Sequence, residues 1–206
     1  MNAMCRRHHD GGSGFTLIEL MVTLTVLAIL VSLALPDLGN VIRNNRRTVL
    51  VNELLAGLML ARSEASRSGQ PLVLCGVDDA NGNQSIDVAE QTCTGLDWRD
   101  GWIVAVWTDA DSDGALDAGE LAAPLRMFVN DYDGYRVTGS GFSGAPVAGA
   151  VALMPFNRQG TSGRVTVCDP RGVSRSRAVD FAANGRPVVV VNNIEDAGAG
   201  VALTCP

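Results

Sequence analysis

The hydrophobic and polar positions divide the chain into parts with different patterns. A short polar stretch, residues 1–14, precedes an apolar run, residues 15–35, in which Glu19 is the only charged side chain. At a rise of 1.5 Å per residue, a helix over this run is long enough to cross the hydrocarbon core of a bilayer. The pattern therefore predicts a transmembrane helix over residues 15–35.

The helical pattern continues over residues 36–68. Pro36 is expected to kink or interrupt the helix. After it, apolar residues recur at spacings of three, four and seven on one face, while charged and amide side chains fill the other faces. The apolar positions are Leu38, Val41, Ile42, Val51, Leu54, Leu55, Leu58, Ala61 and Ala65. The helix is expected to end near Ser68 and Gly69, because a C-cap glycine is followed by Pro71.

Short apolar segments separated by glycine-rich turns predict a β-rich head over residues 69–206. The predicted strands are 71–75, 101–108, 121–129, 135–138, 150–156, 164–168, 177–181 and 187–191. The stretch GSGFSGAPVAGA, residues 139–150, is predicted to be a flexible loop. One long N-terminal helix packed on antiparallel sheet places the chain in the α+β class.

Composition limits the number of domains and suggests a topology. The 206 residues are 47% hydrophobic, enough for one membrane segment and one modest globular domain. The formal net charge of -6 argues against a generally basic nucleic-acid binder. Arg6 and Arg7 precede the apolar run. Basic residues on that side favour a cytoplasmic N-terminus, so the rest of the chain is expected to be exported.

The apolar run has two interpretations. A secretory signal peptide would be removed after export, with Ser32-Leu33-Ala34 as a small-residue cleavage site. Glu19 favours a retained segment instead, because an acidic side chain costs about 2.5 to 3.5 kcal/mol at the centre of a membrane helix and less near its end. A segment that is discarded has no need to bear that cost.

The stretch GFTLIE, residues 14–19, resembles the class III leader of type IV pilins and type II secretion pseudopilins. The resemblance implies that a membrane peptidase cuts between Gly14 and Phe15, that Phe15 is then N-methylated, and that the helix remains as the filament core. Glu19 would become the fifth residue of the mature chain. There the resemblance implies that it pairs with the terminal ammonium of a neighbouring subunit in a low-dielectric bundle.

Five cysteines separate by compartment. Cys5 lies in the leader and would be removed, which leaves Cys75, Cys93, Cys168 and Cys205 in an oxidising periplasm. Four cysteines allow three pairings, of which proximity in sequence favours Cys75 with Cys93 and Cys168 with Cys205. Each bond would contribute on the order of 3 kcal/mol. The alternative, a zinc site built from all four, lacks the paired C-x2-C spacing.

The residue inventory disfavours catalysis. Both histidines, His8 and His9, lie in the leader, so the processed chain would contain none. That excludes Ser-His-Asp triads, Cys-His pairs and the usual zinc-hydrolase sites. Carboxylate pairs alone can support glycosidase chemistry, but the acidic residues here cluster in predicted turns. A non-enzymatic protein is predicted.

One acidic turn matches a calcium-loop template. DADSDGALDAGE, residues 109–120, fits D-x-D-x-D-G-x-x-D-x-x-E, with Gly114 at the sharp turn. The implied ligands are the side chains of Asp109, Asp111, Asp113, Asp117 and Glu120 and the backbone carbonyl of Ala115. No cofactor is required by the sequence, and Ca²⁺ is the one candidate. Because the flanks are predicted strands, a solvated connecting turn is the alternative. A weaker copy, residues 79–90, has Gln84 in place of the glycine.

Charge is distributed unevenly along the head. Residues 78–133 contain thirteen acidic residues against Arg99 and Arg126, a net of -11 by subtraction. Residues 158–186 contain six arginines against Asp169 and Asp180, a net of +4. A local basic surface suggests an anionic partner, with phosphate backbone as a natural candidate. The alternative is a solvated face that forms ion pairs with the acidic turns.

Several head segments resemble the FimT/GspH family. Within that family they resemble the FimT-type minor pilins more than the pseudopilins. They are VTVCDPRGVSRSRAVDFAANGRP, GWIVAVWTDADSDGALDAGE, the pair Cys75 and Cys93, and the terminal cysteine. Some FimT-type pilins bind DNA for natural transformation through a Gly-Arg-x-Arg motif. Gly185 and Arg186 match it, whereas Val188 stands where the second arginine belongs. Three further arginines would compensate if strand pairing placed them beside Arg186; they are Arg171, Arg175 and Arg177.

The sequence thus predicts a structural minor pilin with a pilin fold: leader 1–14, membrane and filament-core helix 15–35, amphipathic continuation 36–68 and periplasmic head 69–206. It would pass once through the bacterial inner membrane and help to initiate or cap a type IV pilus. The expected partners are other pilins through the N-terminal helix, prepilin peptidase, the inner-membrane assembly platform and DNA. The alternatives are a GspH-type pseudopilin of type II secretion and a DNA-uptake receptor.

Overall fold

A computed structural model describes most of the chain. The described residues are 14–83, 86–87, 91–93, 95–113, 115–117, 119–130, 132, 134–143, 145–146, 150–155, 160–191 and 205, and the side chains of 33–37 and 191 lie outside the description. The chain divides into two compact units, Met1–Arg43 and Asn44–Pro206. The elements are α1 (Leu17–Ser68), β1 (Leu72–Val77), β2 (Gly101–Val106), β3 (Arg126–Val129), β4 (Arg136–Ser143), β5 (Ala150–Leu153), β6 (Ser162–Cys168), β7 (Arg177–Phe181) and β8 (Pro187–Val191), with a 3₁₀ turn at Val173–Arg175.

The predicted end of helix α1 is confirmed, and the predicted interruption is not observed. Gly69 has φ 71°, and its amide donates to the Ala65 carbonyl at 3.0 Å, as expected for a glycine C-cap. Helical backbone continues through Pro36, which costs one intrahelical hydrogen bond without ending the helix. Within the described residues, no helix combines the length and apolarity needed to span a membrane. The membrane assignment of residues 15–35 stays a prediction.

The buried stripe of α1 begins later than predicted. Five of the predicted positions are buried, and Leu50, which the prediction omitted, joins them; the five are Val51, Leu54, Leu58, Ala61 and Ala65. Leu38, Val41 and Ile42 are instead 54%, 60% and 46% exposed. The reason is that the two sheets pack on the part of the helix within the unit Asn44–Pro206, so burial starts at Arg47.

All eight predicted strands are present, with revised bounds, and they form two antiparallel sheets. The strand orders are β3-β2-β1-β5 and β4-β6-β7-β8. β3 is shorter than predicted because its first five predicted residues form only an isolated bridge, between Leu121 and Trp107. The α+β class is confirmed. The core lies where the inner faces of both sheets meet α1, and it contains Trp98 and Trp102, both fully buried.

The predicted loop over residues 139–150 is partly wrong, because β4 continues to Ser143. Phe142 explains the extension, since its ring packs against Phe181 at a centroid distance of 5.6 Å and against Trp98 at 6.3 Å. The neighbouring glycines leave room for that ring. A Cβ on Gly139 would lie 2.5 Å from Phe142 Cζ, and one on Gly163 would lie 2.3 Å from Cδ1. Glycines that suggested a loop therefore admit an aromatic ring to the core.

Candidate functional sites

The residues of the N-terminal motif lie at the start of α1. Gly14 and Phe15 are exposed and precede the first helical turn, and a Cβ on Gly14 would meet no atom within 4 Å. The hydroxyl of Thr16 accepts a hydrogen bond from the amide of Glu19 at 3.3 Å, so Thr16 caps the helix. Glu19 occupies the position of a capping-box glutamate, where the helix dipole favours negative charge. This local role of Glu19 is one that the sequence argument did not use.

Two disulfides staple the head with the pairing that proximity favoured. Cys75 bonds to Cys93 and Cys168 bonds to Cys205, closing separations of 18 and 37 residues. The first bond belongs to the smaller apolar cluster on the outer side of sheet β3-β2-β1-β5. The second bond lies beside Ser176, whose Oγ is 3.6 Å from Cys205 Sγ.

Asp169 is the centre of a network that joins two parts of the structure, α1 and the β6–β7 connection. Its side chain is fully buried, and Arg171 binds both carboxylate oxygens, with Nε to Oδ1 at 2.8 Å and Nη2 to Oδ2 at 2.6 Å. Arg171 Nη2 also donates to Asn44 Oδ1 on α1 at 2.8 Å. Arg47 Nη1 lies 3.8 Å from Asp169 Oδ2 and donates to the Arg175 carbonyl. The network fastens the first turn of the helix in this unit to the β6–β7 connection.

The charged groups of this network shift one another's pKa values. Burial alone would raise the pKa of Asp169, but the hydrogen bonds from Arg171 and the charges of Arg171 and Arg47 outweigh it, so the pKa is lowered. The pKa of Arg47 is lowered by burial and then by the like charge of Arg177, which Asp169 only partly offsets. Positive charge is therefore in excess around Asp169.

The structure does not place the three compensating arginines beside Arg186. In the β7–β8 pair, Arg177 lies opposite Val191 and Phe181 lies opposite Pro187, so Arg177 and Arg186 stand at opposite ends of the hairpin. Four strand residues separate those ends by about 13 Å. Arg171 is committed to Asp169, and Arg175 precedes Arg177 in the same connection. The condition for that compensation is therefore not met, because the antiparallel register places the two groups at opposite ends of the hairpin.

Arg62 of α1 lies close to the Gly185-Arg186 turn, although the sequence pattern does not single it out. A Cβ on Gly185 would lie 3.6 Å from Arg62 Cδ and 3.0 Å from Leu153 Cδ2. Gly185 also has φ 70°, so the turn needs glycine for conformation and for space. Arg186 and Val188 line an open cleft of about 860 Å³. No sequence periodicity connects Arg62 to residue 185, because the contact is between a helix and a distant turn.

The acidic loop brings its carboxylates together in two groups. Asp109, Asp111 and Glu120 have oxygens within 4.8 Å of one another, as do Asp111, Asp113 and Asp117. The pKa of Asp117 is raised, chiefly by the charge of Asp113. Gly114 lies outside the described residues, as does Gln84 of the weaker loop. The donors are of the type that Ca²⁺ prefers, and a calcium site at Asp109–Glu120, with the Ala115 carbonyl, stays a prediction.

Glu120 organises this loop through backbone amides. Its Oε1 accepts from Ala110 at 2.7 Å, and its Oε2 accepts from Asp117 at 3.0 Å and from the Trp107 indole at 3.4 Å. These hydrogen bonds, that from Asp117 first, lower the pKa of Glu120. Glu120, the predicted ligand at the twelfth position of the loop, thus links the start of the loop at Ala110 to its end at Asp117 through its own carboxylate.

Two family models match the chain and together cover most of it. The model described as type II transport protein GspH matches residues 50–185, and the prokaryotic N-terminal methylation motif matches residues 12–35. The chain belongs to the GspH family. The GspH match covers α1 from Leu50, both disulfide-bearing strands β1 and β6, and the turn at Gly185.

Solved structures of one type IV minor pilin resemble this GspH-family chain. FimU of Pseudomonas aeruginosa PAO1 in space group P21 is 19% identical, with a TM-score of 0.48 over 72% of this chain and 90% of that one. The P65 crystal form is 20% identical, with a TM-score of 0.43 over 68% and 90%. No curated protein sequence matches the chain significantly. The family consists of structural pilins and pseudopilins, so the prediction of a non-enzymatic protein is confirmed.

Proposed function

We propose that this GspH-family chain is a structural minor pilin of a type IV pilus that helps to initiate or cap the filament. It is made as a prepilin that passes once through the inner membrane, with the unit Asn44–Pro206, which contains the head, in the periplasm. The observation that carries the proposal is the methylation motif at residues 12–35, whose Gly14-Phe15 bond is exposed just ahead of the capped helix. A peptidase can reach that bond without unfolding α1.

Glu19 supplies the assembly contact in this proposal. After cleavage, the new ammonium of Phe15 and the carboxylate of Glu19 belong to the same helix end of each subunit. Between subunits in an apolar bundle, one carboxylate can neutralise the ammonium of a neighbour. Other pilins are the partners through this helix, and the inner-membrane assembly platform extracts the subunit.

Cleavage is tested by co-expressing the full chain with a prepilin peptidase and measuring its intact mass. We expect loss of residues 1–14 and one added methyl group on Phe15. Gly14→Ala should block cleavage, whereas Gly39→Ala, a matched change at another glycine with open space around it, should not. A cut after Ala34 would support the secretory signal peptide and contradict the proposal.

A GspH-type pseudopilin of type II secretion is the alternative, and the description of the matching family favours it. Crosslinking in cells distinguishes the two functions. Crosslinks to pilus subunits together with loss of pili on deletion support the minor pilin. Crosslinks to secretion components together with loss of protein export on deletion support the pseudopilin.

DNA uptake is the weakest part of the predicted function. Val188 stands in place of the second arginine of the motif. The positive φ of the turn accounts for Gly185 without DNA binding. The three arginines that would compensate lie at the other end of the hairpin. What still favours it is the approach of Arg62 to Gly185, next to Arg186. Duplex titrations against Arg186→Ala at several salt concentrations test this function, because phosphate contacts weaken steeply with salt.

A further inference from the structure

A cluster of arginines lies in the segments that meet at Asp169, which are α1, the β6–β7 connection and the start of β7. We call it the Asp169 arginine cluster; its members are Arg46, Arg47, Arg171, Arg175 and Arg177. Arg171 and Arg47 form ion pairs with Asp169, and Arg47 also donates to the backbone carbonyl of Arg175. The cluster lies entirely within the unit Asn44–Pro206.

The carboxylate of Asp169 is already paired with arginines. Arg171 occupies both of its oxygens, and Arg47 lies 3.8 Å from one of them. Arg47 is buried, and its Nε has no hydrogen-bond partner among the described atoms. One carboxylate therefore neutralises one of the five cations and leaves a net positive surface.

The remaining arginines present this charge to solvent. Arg46 and Arg175 are exposed and Arg177 is half-buried, and none of them forms an ion pair within the described part of the chain. The guanidinium of Arg46 lies 5.7 Å from the centre of the Tyr132 ring, which orients the side chain without cancelling its charge. Three cations are thus available to an anionic partner.

The sequence places this cluster close to a lipid surface. Arg46 follows Leu35, the last residue of the apolar run, by eleven residues. That interval spans about 16 Å as a helix and at most about 37 Å fully extended. If the run is inserted in a bilayer, the cluster is tethered within a few Debye lengths of the headgroups, at a high effective concentration.

We propose that Arg46, Arg175 and Arg177 bind the phosphate groups of anionic phospholipids at the membrane surface. The inference rests on the proposed single-pass insertion of this chain. Phosphate oxygens match the donors of a guanidinium, and Arg47 and Arg171, held by Asp169, provide a rigid positive base behind them. Lipid is favoured over DNA because the tether delivers the cluster to the bilayer in every inserted copy. The contact holds the head at the membrane before assembly and weakens as salt rises.

The test uses the full chain in nanodiscs of phosphatidylglycerol or of phosphatidylcholine, with amide hydrogen exchange measured over residues 44–50 and 169–177. We expect slower exchange in the anionic discs, reversed by high salt. Each juxtamembrane arginine contributes roughly fivefold to such binding. Arg46→Gln with Arg175→Gln should therefore remove most of the lipid-dependent protection. Arg62→Gln with Arg186→Gln removes the same charge elsewhere and should leave the protection unchanged.

Each other outcome overturns the inference in a distinguishable way. Equal exchange in both discs, for a chain that co-elutes with them, contradicts lipid binding and leaves the minor pilin proposal standing. A chain that does not enter discs contradicts the insertion itself. If a short duplex protects the same residues in phosphatidylcholine discs and phosphatidylglycerol alone does not, then DNA is the ligand and lipid is not.

Discussion

Val188 lies directly opposite Asp180 in the β7–β8 pair, and Arg164 faces the same aspartate from β6. The Arg164 side chain is 2% exposed and donates from Nε to Asp180 Oδ1 at 2.6 Å and from Nη2 to Oδ2 at 3.0 Å. The position where the DNA-binding motif has its second arginine is therefore next to a carboxylate that already has a cation. This pairing is part of the framework of the head.

Breaking that pair should destabilise the head. Asp180→Asn leaves the Arg164 guanidinium buried without its counter-charge, and we expect the free energy of unfolding to fall by about 3 kcal/mol. Replacing both partners with apolar residues, Arg164→Met and Asp180→Leu, should cost less than Asp180→Leu alone. Urea unfolding with both disulfides intact measures the difference. A double variant as unstable as the single one would contradict the expectation.

Gly185→Ala should destabilise the head more than Gly69→Ala. The two glycines have nearly equal φ, 70° and 71°, so the conformational cost of alanine is matched. At Gly69 the new Cβ meets nothing within 4 Å, whereas at Gly185 it meets Leu153 Cδ2 at 3.0 Å. We expect about 1 kcal/mol at Gly69 and more at Gly185. Equal decreases in melting temperature for the two variants would show that the turn at Gly185 adjusts to the new Cβ and that the contact with Leu153 is unimportant.

Asp169 should make the head acid-sensitive. Burial raises the pKa of Asp169, but the hydrogen bonds from Arg171 and the charges of Arg171 and Arg47 outweigh it, so this pKa lies below that of a free aspartic acid. The stability that it supplies is therefore complete above its unfolded pKa, and it is lost as pH falls from about 4 through the lowered folded value. Asp169→Asn should melt at a lower temperature than the wild type at pH 7. The difference in melting temperature between the two proteins should become smaller below pH 4. A difference that is constant with pH would exclude ionisation of Asp169 as its source.

The two disulfides should contribute unequally. The loop-entropy relation gives about 3 kcal/mol for the separation of 18 residues and about 4 kcal/mol for that of 37. Cys168→Ser with Cys205→Ser is therefore expected to lower the free energy of unfolding more than Cys75→Ser with Cys93→Ser. Chemical denaturation of the two double variants compares them. The reverse order would mean that burial of Cys75, which is fully buried, outweighs loop length.

Local pattern was sufficient to locate the helix and the strands of this protein, although several of their bounds differ. Helical periodicity and the glycine before Pro71 determined where α1 ends, because a C-cap depends on the residues next to it. Apolar segments between turns located all eight strands, and short separations favoured the disulfides that form. The motif at Gly14–Glu19 was equally local, and the methylation-motif match contains it.

Tertiary structure decided which distant residues meet. Residues 139–143 form part of strand β4 because the Phe142 ring packs against Phe181 and Trp98. Arg177 and Arg186 separated because an antiparallel register places them at opposite ends of a hairpin, while Arg62 approached Gly185 from a helix more than a hundred residues away. The sequence by itself determined the helix, the strands and the methylation motif, since these depend on neighbouring residues. The grouping of charges depends on packing and register between remote segments, which no local pattern encodes.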